Sequence, residues 1–199
     1  MELKAENISF RYQKKTPWVL KDFNFRVTSG ERIGVLAPSG YGKSTLGKLL
    51  SGYYPPTIGE VILEGKTLEP KGYCPVQMIH QHPQLAVNPR WNIKRILQEA
   101  YIPEDTLLKR MGIEEGWLNR FPGELSGGEL QRICIARALA PETKFLICDE
   151  ITTMLDVITQ AQIWQLLLEI AKERQLGMVI ITHNPELARK VCTDVVQLK

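Results

Sequence analysis

Residues 31–45 read ERIGVLAPSGYGKST, and their order decides the fold. An apolar run from Ile33 to Ala37 breaks into a loop holding Gly40 and Gly42, then reaches Lys43, Ser44 and Thr45. A short, uninterrupted apolar run reads as a buried strand, and the residues after the glycines read as a helix start. Strand, glycine-rich loop and helix together make a phosphate cradle. Backbone N–H groups of residues 40–45 wrap a β-phosphate, Lys43 reaches the β- and γ-phosphates, and the Ser44 hydroxyl is aimed at Mg²⁺. Ser39, Tyr41 and Thr45 complete the loop. The pattern usually begins with glycine; Ala37 stands there instead, and it fits if its φ is negative.

Outward from this loop, the 199 residues have ordinary globular composition, 44% hydrophobic and 24% charged, enough for one domain with a real core. A net charge of +3 is too small and too dispersed for nucleic acid. Apolar stretches such as WVL and MVII are far too short to cross a bilayer. Lys4 and Glu6 interrupt any leader-like core at the N-terminus, so a cytoplasmic chain is expected. Cys74, Cys134, Cys148 and Cys192 form no CxxC pair and read as small buried hydrophobes.

Strand patterning is expected at 2–10, 18–28, 31–37, 60–65, 76–81, 144–148, 177–182 and 195–198. Helical patterning is expected at 43–51, 92–120, 157–175 and 185–192. Ile93, Ile96, Leu97 and Ala100 fall on one helical face, and Ile163, Leu166, Leu167 and Ile170 on another. Strands alternating with helices imply an α/β fold, a mostly parallel core sheet covered on both faces, here with an antiparallel N-terminal portion. The apolar run FLIC ends in Asp149 and Glu150. Beside a phosphate loop, Asp149 reads as a carboxylate for Mg²⁺ and Glu150 as the group that polarises a water; the bland alternative is a strand ending in two surface acids.

Residues 124–131, ELSGGELQ, open a second helix with two glycines in its first turn, another ready seat for an anion. With LSGGE followed by QR and placed shortly before the acidic strand, nearly the whole chain resembles the ATP-binding cassette family. The resemblance implies a P-loop NTPase fold in one domain over 1–199, with residues 82–140 as a helical subdomain, and ATP and Mg²⁺ as cofactors. It implies that two cassettes pack head to tail, so that Ser126, Gly127 and Gly128 close over the partner's ATP. It also implies that Tyr12 stacks on adenine, that Gln81 senses Mg²⁺ and water and touches the membrane partner, that Asp156 couples the two sites, and that His183 contacts the γ-phosphate. Metal contacts are then Ser44, Gln81 and Asp149, and catalytic groups Glu150, His183 and Gln81. Ile151 departs from the pattern, which usually has proline there. His80 and His82 make an H-x-H with no third ligand nearby in sequence.

RFPGELSGGELQRICIARALA, NPRW (88–91) and LICDEITTMLDVITQAQI resemble the branch that powers import of peptides, nickel and metal chelates, most of all its compact subunits. In that branch two unlike cassettes serve two membrane permeases fed by an extracytoplasmic binding protein, with the cassettes peripheral on the cytoplasmic face. The stretch between Gln81 and Leu125 is shorter than usual, and no tail follows Lys199, so no regulatory or cluster-binding domain is expected. A non-transport cassette would carry fused cassettes or a coiled-coil insertion; a small-molecule kinase would have no use for LSGGE.

Overall fold

The computed structural model of the chain describes residues 1–38, 40–69 and 72–198. Along the chain run β1 (Glu2–Phe10), β2 (Leu20–Thr28), β3 (Arg32–Leu36), α1 (Lys43–Leu50), β4 (Ile58–Leu63), β5 (Lys66–Thr67) and β6 (Val76–Ile79). Then come α2 (Ile93–Leu97), α3 (Asp105–Arg110), α4 (Gly127–Ala138), β7 (Phe145–Asp149), α5 (Val157–Arg174), β8 (Gly177–Thr182), α6 (Pro185–Val191) and β9 (Asp194–Gln197). Two sheets result: an antiparallel one in the order β2-β1-β4-β5, and a parallel one in the order β6-β7-β8-β3-β9.

The central strands β7 and β8 are apolar at almost every position because both of their faces are covered, whereas the edge strand β9 is mostly exposed. Side chains alternate between the two faces. Phe145, Ile147, Val179, Ile181, Ile33 and Val35 join the core shared with α1 and the antiparallel sheet. Leu146, Cys148, Met178 and Ile180 join the core under α4, α5 and α6. Cys134 and Cys148 are buried and Cys74 and Cys192 half-buried, all with free thiols, as the scattered spacing implied.

The strand and helix expectations hold to within a few residues except at 92–120, where one helical pattern becomes several short pieces. Helix α2 stops at Leu97, α3 covers only Asp105–Arg110, and a 3₁₀ turn at Glu115–Trp117 follows. Pro103 supplies no backbone donor and Gly112 turns at φ 63°, so a continuous helix cannot pass either point. Ala100 therefore lies exposed beyond α2 rather than on its buried face. On α5, Trp164 is buried and Leu166 only half-buried.

One contact between the sheets leaves no room for a side chain. A Cβ on Gly177 would lie 2.4 Å from the Phe145 ring and 2.9 Å from the Thr28 carbonyl oxygen. Phe145 is fully buried and has nowhere to go. Gly177→Ala should cost about 1–3 kcal/mol through overpacking, read as a lower urea midpoint at unchanged slope; an unaltered midpoint would show that the ring yields.

Candidate functional site

The parallel register assembles the site. Ile79, Cys148, Ile180 and Gly34 form one row across four strands. Two residues beyond that row lie Gln81, Glu150, Thr182 and Leu36, so the loops after β6, β7, β8 and β3 leave from one edge. Ligands of open parallel sheets bind outside such strand ends.

The loop after β3 leads into α1, which is capped by Gly42 in the left-handed conformation (φ 82°) with no side-chain cap. A Cβ there would come within 2.9 Å of the Val19 side chain, so glycine is required on both counts. No acid stands in the first turn of α1, and its positive end has no counter-charge of its own there. Ala37 is absent from the described residues with positive φ, which meets the condition set for it. Ser39 lies outside the described residues. Lys43 is 6% exposed, donates to the carbonyls of Ala37 (2.6 Å) and Pro38 (2.9 Å), and lies 3.9 Å from Glu150.

Glu150 is the hub. Its carboxylate accepts from Gln81 Nε2 at 3.3 Å and meets His183 Nδ1 at 3.1 Å. A carboxylate only accepts, so the hydrogen-bond pattern assigns the imidazole proton to Nδ1. A cavity of 410 Å³ opens beside these groups, bounded by Tyr12, Val19, Gly40, Gly42, Lys43, Ser44, Thr45, Gln81 and Glu150. Tyr12 is exposed, with its hydroxyl 2.9 Å from Thr45 Oγ1 and its ring edge-on to Phe10 and Tyr54. Tyr41 is exposed on the loop. Val19 escaped the sequence reading because it sits in a plain apolar run.

Asp149 is buried, and its Oδ1 has no partner. An orphaned carboxylate oxygen, together with the hydroxyl of Ser44 and the amide oxygen of Gln81 at the same edge of the sheet, supplies hard oxygen donors that fit Mg²⁺, which is held by one or two carboxylates plus phosphate oxygens and water. No cluster of three His, Cys, Asp or Glu is present among the described residues, so these groups alone make no all-protein metal cage, and His80 and His82 form none.

Ser126, Gly127, Gly128 and Asp156 stand apart from this cavity. Ser126 caps α4: its hydroxyl accepts from Glu129 N–H and its own N–H donates to the Glu129 carboxylate at 2.6 Å. The bond from the Ser126 N–H holds the Glu129 carboxyl below its ordinary range. The cap explains Ser126 but not the glycines. A Cβ on Gly127 would meet nothing within 4 Å, and one on Gly128 would make ordinary contacts with Leu155 and Thr159. Glycine loses more backbone entropy than alanine on folding, and these two bring no steric return inside this chain. Asp156 caps α5, accepting from the N–H groups of Ile158 and Thr159. Around it Met154, Val157 and Ile158 are 66%, 81% and 71% exposed.

Burial pushes the Asp149 carboxyl above its ordinary range; the Ser44 hydrogen bond opposes this, Glu150 adds to it and Lys43 opposes it. The ionised form is thus disfavoured in the fold. The penalty is complete above the raised folded value and vanishes below the unfolded one. Asp149→Asn should therefore raise the thermal midpoint of the nucleotide-free protein at neutral pH, with the gain fading as pH falls through the carboxylate range. Melting curves across that range check it; no gain at neutral pH would contradict it.

The ABC transporter family profile matches residues 20–153. The chain is 34% identical to the oligopeptide transport ATP-binding protein OppF of Haemophilus influenzae, over 96% of this chain and 63% of that protein, so it spans somewhat under two thirds of that relative. It is 32% identical to the nickel import system ATP-binding protein NikE of Staphylococcus aureus, over 99% of this chain and 86% of that one. A solved ATP-binding cassette, dimeric and bound to ADP and Pi, superposes with a TM-score of 0.82 at 27% identity, covering 99% of this chain and 94% of that one. The fold is that of the P-loop cassettes, and the chain belongs to the ABC transporter family, whose ATP-binding subunits are ATP hydrolases.

Proposed function

We propose that this chain is the ATP-hydrolysing subunit of an importer, working in a head-to-tail pair of cassettes at the cytoplasmic face of a membrane. The carrying observation is the Glu150 carboxylate, held by Gln81 and His183 and facing Lys43 at the mouth of the phosphate loop. The loop N–H groups and Lys43 bind the phosphates of ATP, and Tyr12 offers its ring to the adenine. Ser44, Asp149 and Gln81 hold Mg²⁺, which when bound neutralises phosphate charge. Glu150 orients a water and takes its proton, while His183 sets the geometry at the γ-phosphate.

Ser126, Gly127 and Gly128 serve the ATP of a partner cassette, which explains glycines that nothing in this chain requires. The adjoining Asp156 loop, with its exposed Met154, Val157 and Ile158, supplies the apolar surface for that partner. The partner is a second, non-identical cassette, and both sit beneath two permeases fed by an extracytoplasmic binding protein. No helix among the described residues is long and apolar enough to cross a membrane, in keeping with a peripheral subunit. Likeness to OppF and NikE supports a peptide or nickel cargo, which uptake measured with each would assign.

Glu150→Gln should retain ATP binding and slow hydrolysis by about 10²–10⁴-fold; turnover at the native rate would remove Glu150 as the base. Ser126→Arg should leave binding at this chain's own loop nearly intact and impair the site whose lysine lies on the partner. Loss of nucleotide binding by the isolated, folded Ser126→Arg chain would mean that the signature acts in cis, and the head-to-tail arrangement would fall.

A further inference from the structure

Between β6 and α2 the chain runs along α4 with a regular correspondence. Gln131 Nε2 donates to the His80 carbonyl at 3.4 Å, the Cys134 thiol to that of Pro83 at 3.9 Å, and Arg137 to that of Ala86 at 2.8 Å. Each pair is 51 residues apart in sequence. Residues three apart lie on one stripe of a helix and rise about 4.5 Å. Three residues of extended chain would advance about 10 Å and lose the register at once. The 3₁₀ turn at Pro83–Leu85, rising about 2 Å per residue, brings the second of these steps closer to the helix rise. Arg137 is itself braced by Glu99 at 3.0 Å.

One end of this rail, the Gln131–His80 bond, adjoins both parts of the proposed machinery. Helix α4 is capped by Ser126, five residues before Gln131. His80 adjoins Gln81, whose amide bonds Glu150. Gln131 is 1% exposed, yet its Oε1 has no partner. A buried amide left half satisfied is a poor choice for stability alone, since an unmet acceptor costs about 1–3 kcal/mol.

We infer that Gln131 is a positioning residue: it fixes residues 80–86 on α4, so that contact at the signature end is carried to Gln81 and Glu150 of this chain's own site. This rests on the proposed function, because it matters only if Gln81 and Glu150 serve hydrolysis. Gln131→Met keeps the length and removes both the bond and the orphan, so the fold should be kept. Arg137→Met cuts the rail at its other end and guards against misfolding of the first variant.

Amide exchange in the full, nucleotide-free chain reads the rail without turnover. Both variants should exchange faster at 80–86, with β7 and β8 unchanged. ATP turnover of the full chain with the membrane complex it purifies with should fall about 10- to 100-fold in kcat, the cost of a misplaced group, with KM for ATP within about twofold. In a Gln81→Ala background, Gln131→Met should have no further effect. Unaltered exchange at 80–86, or a kcat loss that adds in full to that of Gln81→Ala, overturns the inference. Absence of turnover in the wild-type complex would instead overturn the proposed function, while the exchange result still decides the rail.

Discussion

Everything at the site depends on four parallel strands ending at one level. β6, β7, β8 and β3 share the row Ile79–Cys148–Ile180–Gly34, and the groups two positions on belong to four different loops. No loop holds the site alone. A slip of one residue in any strand would send its buried side chains to the opposite core and withdraw its loop from the edge. Packing on both faces fixes the register, because Leu146 and Cys148 must meet the helices α4 to α6 while Phe145 and Ile147 must meet α1. The level at which β7 delivers Glu150 is therefore set by apolar side-chain burial.

The backbone at that point carries strain. Glu150 has φ 47°, a conformation that ordinary residues seldom adopt. Such residues persist where their surroundings over-determine them. Here the Glu150 N–H donates to the Ile181 carbonyl at 3.0 Å, and its carbonyl accepts from the N–H and hydroxyl of Thr153. Ile151 is buried, and Thr152 accepts from the Trp164 indole at 3.1 Å. Where the family usually has proline, this chain holds the turn by burying a side chain. Ile151 thus replaces one means of stiffening with another, and the carboxylate still projects toward Lys43 and Gln81.

The sheet was legible because parallel strands buried on both faces read as unbroken apolar runs, and FLIC and GMVIIT have no other good reading. The phosphate loop was legible because its spacing follows from the size of a phosphate. The segment 92–120 was not, since Ile93, Ile96 and Leu97 begin a genuine helical stripe that Pro103 and Gly112 then cut, and short helices are held by packing more than by propensity. Gln131 was read only as part of the LSGGE–QR run, with no sign of its partner, and Val19 carried no local signal. Their roles arise from chain segments 51 residues away in one case and from a glycine 23 positions on in the other.

The two glycine-bearing helix starts differ in how complete each is alone. Helix α1 has a glycine cap without a side chain and no acid in its first turn, so its positive end awaits an anion from outside. Helix α4 carries its own Ser126–Glu129 capping box. A cassette must be stable before it meets a partner, and an end lying on the open surface cannot depend on a phosphate delivered by another chain. The capping box supplies that stability, each cap being worth about 1 kcal/mol. What it leaves unexplained is the backbone bared at Gly127 and Gly128. Helix α1 sits against the chain's own cavity and can rely on nucleotide at hand, so it keeps no such provision. The contrast follows from position: one helix end adjoins this chain's own cavity, while the other lies outside it, where the proposed partner cassette would bring the second ligand.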